Sequence, residues 1–169
     1  MSTDHIASLV KELNLTPHPE GGFYKETYRS QELISTMELP DRYNGSRCFA
    51  TAIYFLLVKD SFSAFHKIKS DETWHFYQGS PIEIFSITPD GKLNRQVLGI
   101  NWQQNEVPQY TIPAGTWFAS RVITGGVYGL AGCTVYPGFE FSDFEMADRK
   151  ALQESFPMHS NIIAALTRE

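Results

Sequence analysis

Apolar residues along this chain recur with two different periods. Near the start, Ile6, Leu9, Val10 and Leu13 share one face of a 3.6-residue repeat. That spacing predicts a short amphipathic helix over Asp4–Leu13, capped by Ser2, Thr3 or Asp4. A turn rich in Pro and Gly follows, running from Leu15 to Phe23. From Gly22 to Ser30 the pattern switches to alternation, with Phe23, Lys25 and Thr27 set against Tyr24, Glu26 and Tyr28. This predicts an edge strand, one able to augment the sheet of a neighbouring subunit. The stretch from Gln31 to Ser46 keeps no period and reads as a loop or arm.

From Arg47 onward, short apolar or alternating runs return at close intervals. They predict strands at Cys48–Val58, Ser61–Lys67, Thr73–Tyr77 and Ile82–Thr88, then at Leu93–Leu98, Gln109–Ile112, Thr116–Arg121 and Val127–Val135. Turn residues separate them. The strongest turn is Thr88-Pro89-Asp90-Gly91-Lys92, where Pro presets φ and Gly admits a positive one. Helical spacing resumes over Met146–Phe156 and His159–Thr167, with Pro157 as the break. Many short strands at such spacing predict a mainly β sandwich or barrel with short helices at both ends, forming a single domain over residues 1–169.

Composition narrows the function classes. A chain of this length buries roughly 70% of the surface it exposes when unfolded, so it needs no metal or disulfide to hold a core. The 12 Phe, 8 Tyr and 3 Trp suit pleated surfaces and concave ligand sites alike. The formal charge is −5, and Lys and Arg are scattered. Neither nucleic acid nor an anionic membrane surface is therefore expected as a partner. The longest apolar run, Phe49–Val58, is too short to span a bilayer. The opening residues lack a signal-peptide pattern, and Cys48 and Cys133 read as buried reduced thiols, so a cytoplasmic setting is expected.

Candidate chemistry concentrates in Phe65–Gly79. One strand ends at His66, a polar turn follows, and Glu72 opens the next strand. Residues two apart in a strand share a face, so if Glu72 points inward, Trp74 and Phe76 do too, while His75 and Tyr77 point away. A hairpin then brings His66 and Glu72 to one mouth of a barrel walled by aromatic rings. An imidazole beside a carboxylate can bind metal, move protons or hydrogen-bond a polar ligand.

This segment resembles the first motif of the cupin superfamily. His66 matches its first His, Glu72 its acid and Gly79 its closing Gly. Pro113 and Gly115 match the second motif. Ile68 stands at the position of the second His of the first motif, and Phe118 at that of the His of the second. Over residues 18–146 the chain is similar to the fifth cupin family, a group of unknown function, through EGGFYKETYRS, the His66–Gly79 block, PAGTWF and GCTVYPGFEFSDFE. The resemblance implies a double-stranded β-helix, or jelly-roll barrel, that forms homodimers and carries a pocket. Of the superfamily's usual metal ligands only His66 and Glu72 are kept, fewer than the three a catalytic zinc site supplies, so no metal cofactor is expected.

Three readings of function follow. In the first, a small-molecule-binding barrel holds its ligand with His66 and Glu72 on the polar edge and Trp74, Phe76, Trp117 and Phe118 as walls. In the second, a metal-independent isomerase or epimerase uses His66 as base, Glu72 to orient it, and Tyr77 or Tyr24 as acid. In the third, a metal-dependent cupin works with a degenerate ligand set. Arg29 is a candidate for an acidic partner across a seam or for an anionic ligand. Pro137–Glu145 is expected to cover the barrel.

Overall fold

A computed structural model describes residues 3–168. Helix α1 (Thr3–Glu12) presents the predicted stripe, and Leu9 packs with Leu15, Leu56, Tyr128 and Leu130. Ser2, one of its expected caps, lies outside the described residues, and the same holds for the side chains of Thr3 and Asp4.

The strands that follow are β1 (Thr16–Pro17), β2 (Phe23–Arg29), β3 (Leu33–Ile34), β4 (Arg47–Cys48), β5 (Thr51–Val58), β6 (Phe62–Lys67) and β7 (Asp71–Gly79). Next come β8 (Ile82–Ile87), β9 (Leu93–Leu98), β10 (Gln109–Ile112), β11 (Trp117–Val122), β12 (Tyr128–Tyr136) and β13 (Glu145–Met146). Helices α2 (Arg149–Ser155) and α3 (Ser160–Ala165) end the described chain.

Strands β5 to β12 divide between two antiparallel sheets, ordered β5-β12-β7-β10 and β6-β11-β8-β9, with only β8 and β9 consecutive in one sheet. That order is a jelly roll, as expected. Strands β1 and β2 extend the first sheet and β13 the second. Strand β2, expected to serve a neighbouring subunit, pairs with β5 of its own chain, Phe23 opposite Leu56 and Arg29 opposite Thr51.

The run expected as one strand over Cys48–Val58 is two. Residues 47–48 pair with β3, whereas β5 starts at Thr51, because Phe49 and Ala50 bond back to Glu32 and Ser30. The first C-terminal helix starts later than its periodicity predicts. Met146 pairs with His66 in β13, and the Asp148 side chain caps α2 by accepting from Ala151 N–H.

Alternation along the strands sorts residues between two apolar layers. Phe55, Trp74, Ile84, Leu98, Ile112 and Phe118 fill the space between the sheets. Phe65, Phe85, Ile87 and Ala119 point out of the second sheet, where α2 and α3 cover them with Leu152, Ile163 and Leu166. Among the described residues no helix is long and apolar enough to cross a membrane.

Candidate functional site

One end of the space between the sheets is not filled. A cavity of about 300 Å³ lies there, lined by residues of β2, β5, β6, β7 and β12, the turn before β2 and the segment after β12. That is at the small end of ligand-site volumes.

His66 and Glu72 both face it and both are buried, but not through the expected hairpin: β6 and β7 belong to opposite sheets, and the turn between them crosses from one to the other. His66 lies 2% exposed between the rings of Phe118 at 4.1 Å and Phe144 at 5.2 Å. Its Nδ1 is 2.7 Å from the carbonyl oxygen of Ala64. A carbonyl only accepts, so Nδ1 carries the hydrogen and Nε2 is the acceptor of a neutral ring.

The partner of Nε2 is a residue the motif did not indicate. Glu20 Oε2 lies 3.1 Å from His66 Nε2 and 3.5 Å from His18 Nδ1, while Glu20 Oε1 accepts from the Ser63 hydroxyl at 2.9 Å. Burial drives the Glu20 carboxyl up to about 7, against the pull of His18 and Ser63. Burial lowers His66, and the nearby Glu72 only partly offsets that. Both shifts favour the neutral forms, so the Glu20 carboxyl, when protonated, can donate to His66 Nε2.

Glu20 is delivered by the turn His18-Pro19-Glu20-Gly21-Gly22. Its own carbonyl accepts from Ala64 N–H at 2.9 Å, which docks the turn onto β6. Gly21 adopts φ +116°, and a Cβ there would run into the Phe62 carbonyl oxygen. Only glycine allows this approach. The sequence signal was therefore present, an acid directly before two glycines, with His18 two residues upstream.

Glu72 sits across the cavity floor. Burial raises it to about 7, and the charge of Glu20 adds to the rise. His66 opposes the rise first, followed by the Cys133 thiol and the Trp74 N–H. Trp74 Nε1 has no partner of hydrogen-bonding geometry, and Glu72 has no ion pair among the described residues. Burial also lowers His18, with Glu20 opposing and His66 assisting.

At the mouth, Arg29 Nε and Nη2 donate to Glu26 at 3.2 and 2.9 Å, and Nη1 donates to Glu140 at 2.7 Å. The acid expected across a seam therefore belongs to the same chain. Phe139, Phe141 and Phe144 close the wall, as expected of the segment after β12. Asp143 and Glu145 do not reach the cavity; they pair with Arg47 and Lys67.

The other proposed site residues are placed differently. Trp74 faces inward, but it is 1% exposed and packed edge-on against Phe55 in the closed core beside the cavity. Phe76 also packs against that core and does not line the cavity. Phe118 touches His66 without being part of the cavity wall. Trp117, its neighbour in β11, points to the other side of the sheet, where Lys67 Nζ sits 4.3 Å over its ring. Tyr77 is corrected outright. Alternation turns it to the outer face of β7, 52% exposed against Tyr54, so it cannot act with His66. Tyr24 is the tyrosine that lines the cavity. His75 points outward too, its Nε2 3.1 Å from the Thr134 hydroxyl.

The superfamily's metal site does not fit these residues. Ile68 and Phe118 are buried apolar groups where imidazoles would be needed, and His66 Nε2 is turned to Glu20. Among the described residues, no three His, Cys, Asp or Glu side chains are disposed to hold a metal ion.

Relatives share this architecture. A hypothetical protein from Leishmania major superposes with a TM-score of 0.89 at 34% identity, over 96% of this chain and 98% of that one. Protein SO0799 from Shewanella oneidensis gives 0.86 at 35% identity, over 99% and 98%. An uncharacterized protein of Saccharomyces cerevisiae, YML079W, is 31% identical over 150 residues, 82% of this chain and 73% of the yeast protein. Oxalate decarboxylase from Bacillus subtilis matches at a TM-score of 0.54 and 13% identity, a likeness of fold alone that spans 36% of that chain. The family described as Cupin superfamily (DUF985) matches residues 7–147, and with the jelly roll and its pocket in place, the chain belongs to that family.

Proposed function

We propose that the cavity binds a small organic molecule, with Glu20, His66 and Glu72 on its polar edge and Tyr24, Phe139, Phe141 and Phe144 against its apolar faces. One observation carries this reading. Three buried ionisable groups, Glu20, His66 and Glu72, meet at a cavity of ligand size, and among the described residues no Lys or Arg pairs with them. Burial of this kind costs stability unless a partner satisfies it. Calorimetry and thermal unfolding against a metabolite library test the reading, with Ile53→Trp as a variant that fills the cavity. A ligand at a hundredfold excess over its Kd should stabilise the wild type by about 2.7 kcal/mol and leave a folded Ile53→Trp unmoved. Equal stabilisation of both, or no ligand at all, would remove the reading.

A second reading has its own support. Glu20 and Glu72 both titrate near 7, the range in which a carboxyl serves as acid or base at neutral pH. A metal-independent isomerase would use the Glu20–His66 pair as base and Tyr24 in place of Tyr77 as acid. Turnover of a bound compound, lost in His66→Asn with binding retained, would separate this enzyme from a binding protein. Neither reading requires a bound metal.

A further inference from the structure

We propose that the cavity selects an organic cation, a ligand with an ammonium, amidinium or similar charged nitrogen group, held against Glu72 and Glu20 inside a cage of aromatic rings. This inference rests on the cavity being a ligand site and names the chemistry of its occupant.

Charge is the first argument. Four carboxyls, Glu20, Glu26, Glu72 and Glu140, line the cavity, against the single guanidinium of Arg29. Arg29 is fully engaged by Glu26 and Glu140 at the mouth. The two inner carboxyls have no cation, and burial keeps both adjacent imidazoles, His18 and His66, from serving as one. An anionic ligand would meet like charge here. A neutral ligand would leave the Glu72 carboxyl, on a residue 8% exposed, without a counter-charge.

The walls are the second argument. Tyr24, Phe55, Phe139, Phe141 and Phe144 surround the same space, and the faces of such rings attract cations, most strongly once water is excluded. Rings alone suit any flat apolar ligand. Rings together with two carboxyls that no Lys or Arg among the described residues pairs suit a positive one.

Binding then exchanges charge. The inner carboxyls are pushed up to about 7, so near neutral pH each is partly protonated, because a buried carboxylate without a partner is unfavourable. When a cation arrives, the carboxylic proton leaves to solvent and the carboxylate pairs with the ligand. No covalent bond forms. The groups facing Glu72 that take part in this balance are Glu20, His66 and Cys133, with His18 behind Glu20 and Glu26, Arg29 and Glu140 at the mouth.

Matched probes test the inference by calorimetry on the full chain: choline against its carbon isostere dimethylbutanol, and benzylamine against benzyl alcohol. At about pH 8 each cation should bind roughly tenfold or more tightly than its neutral partner, and at about pH 7 and below its binding should release protons, shown by buffer-dependent heats. That preference should shrink roughly tenfold at about pH 6, where carboxyls titrating near 7 are mostly protonated. Glu72→Gln should bring each cation and its isostere to equal affinity; Glu20→Gln gives the same readout if Glu72→Gln folds poorly. Equal binding of a cation and its isostere, or a preference that survives both variants, overturns the cation inference and leaves the ligand site standing. If neither cation binds, the inference also falls, and the metabolite library decides separately whether the site reading falls with it.

Discussion

Asp143 and Glu72 are carboxyls of similar burial, 5% and 8% exposed, at two sides of the same barrel end, yet their surroundings are opposite. Asp143 is held by Arg47, whose Nε and Nη2 each donate to it at 2.6 Å, with Lys69 Nζ 3.6 Å away. Glu72 faces a cavity, a second carboxyl and a neutral imidazole. Asp143 belongs to the architecture. Its ion pair ties the segment after β12 to β4 and so sets Phe141 and Phe144 against the cavity. Glu72 has no such structural task, and the fold holds it at a cost. A buried acid with its cation built in depends on that cation, because removing it leaves an uncompensated charge, whereas one without a cation leaves room for a partner from outside.

Three changes would break or sharpen that contrast. The largest effect is expected for Arg47→Ala, which leaves Asp143 buried and unpaired and should lower stability by about 3–5 kcal/mol in urea unfolding. A loss below about 1 kcal/mol would mean that Lys69 or water replaces the pair, and the two acids would no longer differ in kind.

Glu72→Gln should act in the opposite direction and depend on pH. The folded pKa of Glu72, about 7, lies above its ordinary value of 4.5. The folded state therefore binds this proton more tightly than the unfolded chain does. Stability from it is full below about 4.5 and is lost as pH rises through about 7. The variant should match wild type at low pH and exceed it at high pH by a margin on the order of 3 kcal/mol. The histidines run the other way, since lowered pKa values cost stability as pH falls below 6.5. A pH-independent difference between variant and wild type would show that Glu72 is not perturbed.

The smallest effect is expected at Tyr77. Tyr77→Phe should shift stability by no more than about 0.5 kcal/mol and leave ligand binding unaltered, since the hydroxyl lies on the outer face. A loss of binding would return this tyrosine to the site.

His66 and Glu72 were legible because each sits at a position of a family motif, and because strand alternation predicts their common face. Alternation also predicts that His75 turns away, and carried consistently it turns Tyr77 away with it. The same rule separates Trp117 from Phe118: Phe118 faces inward against His66, and Trp117 faces out. The two are adjacent, so only one can face inward, and nothing local says that the helices α2 and α3 cover the other side of β11. Glu20 was present in plain view before Gly21 and Gly22, but its meaning depends on docking against β6 far along the chain.

Local pattern alone determined most of the strands, the turns between them and the amphipathic helix, because periodicity and turn chemistry act over a few residues, while the family was legible only through the resemblance of its motif blocks. Tertiary structure decided which acid meets His66, that Arg29 closes on Glu26 and Glu140, and that the inner carboxyls go without a cation. Those outcomes depend on burial and on contacts between segments remote in sequence, and a carboxyl's pKa is set by the groups the fold brings around it, not by its neighbours along the chain.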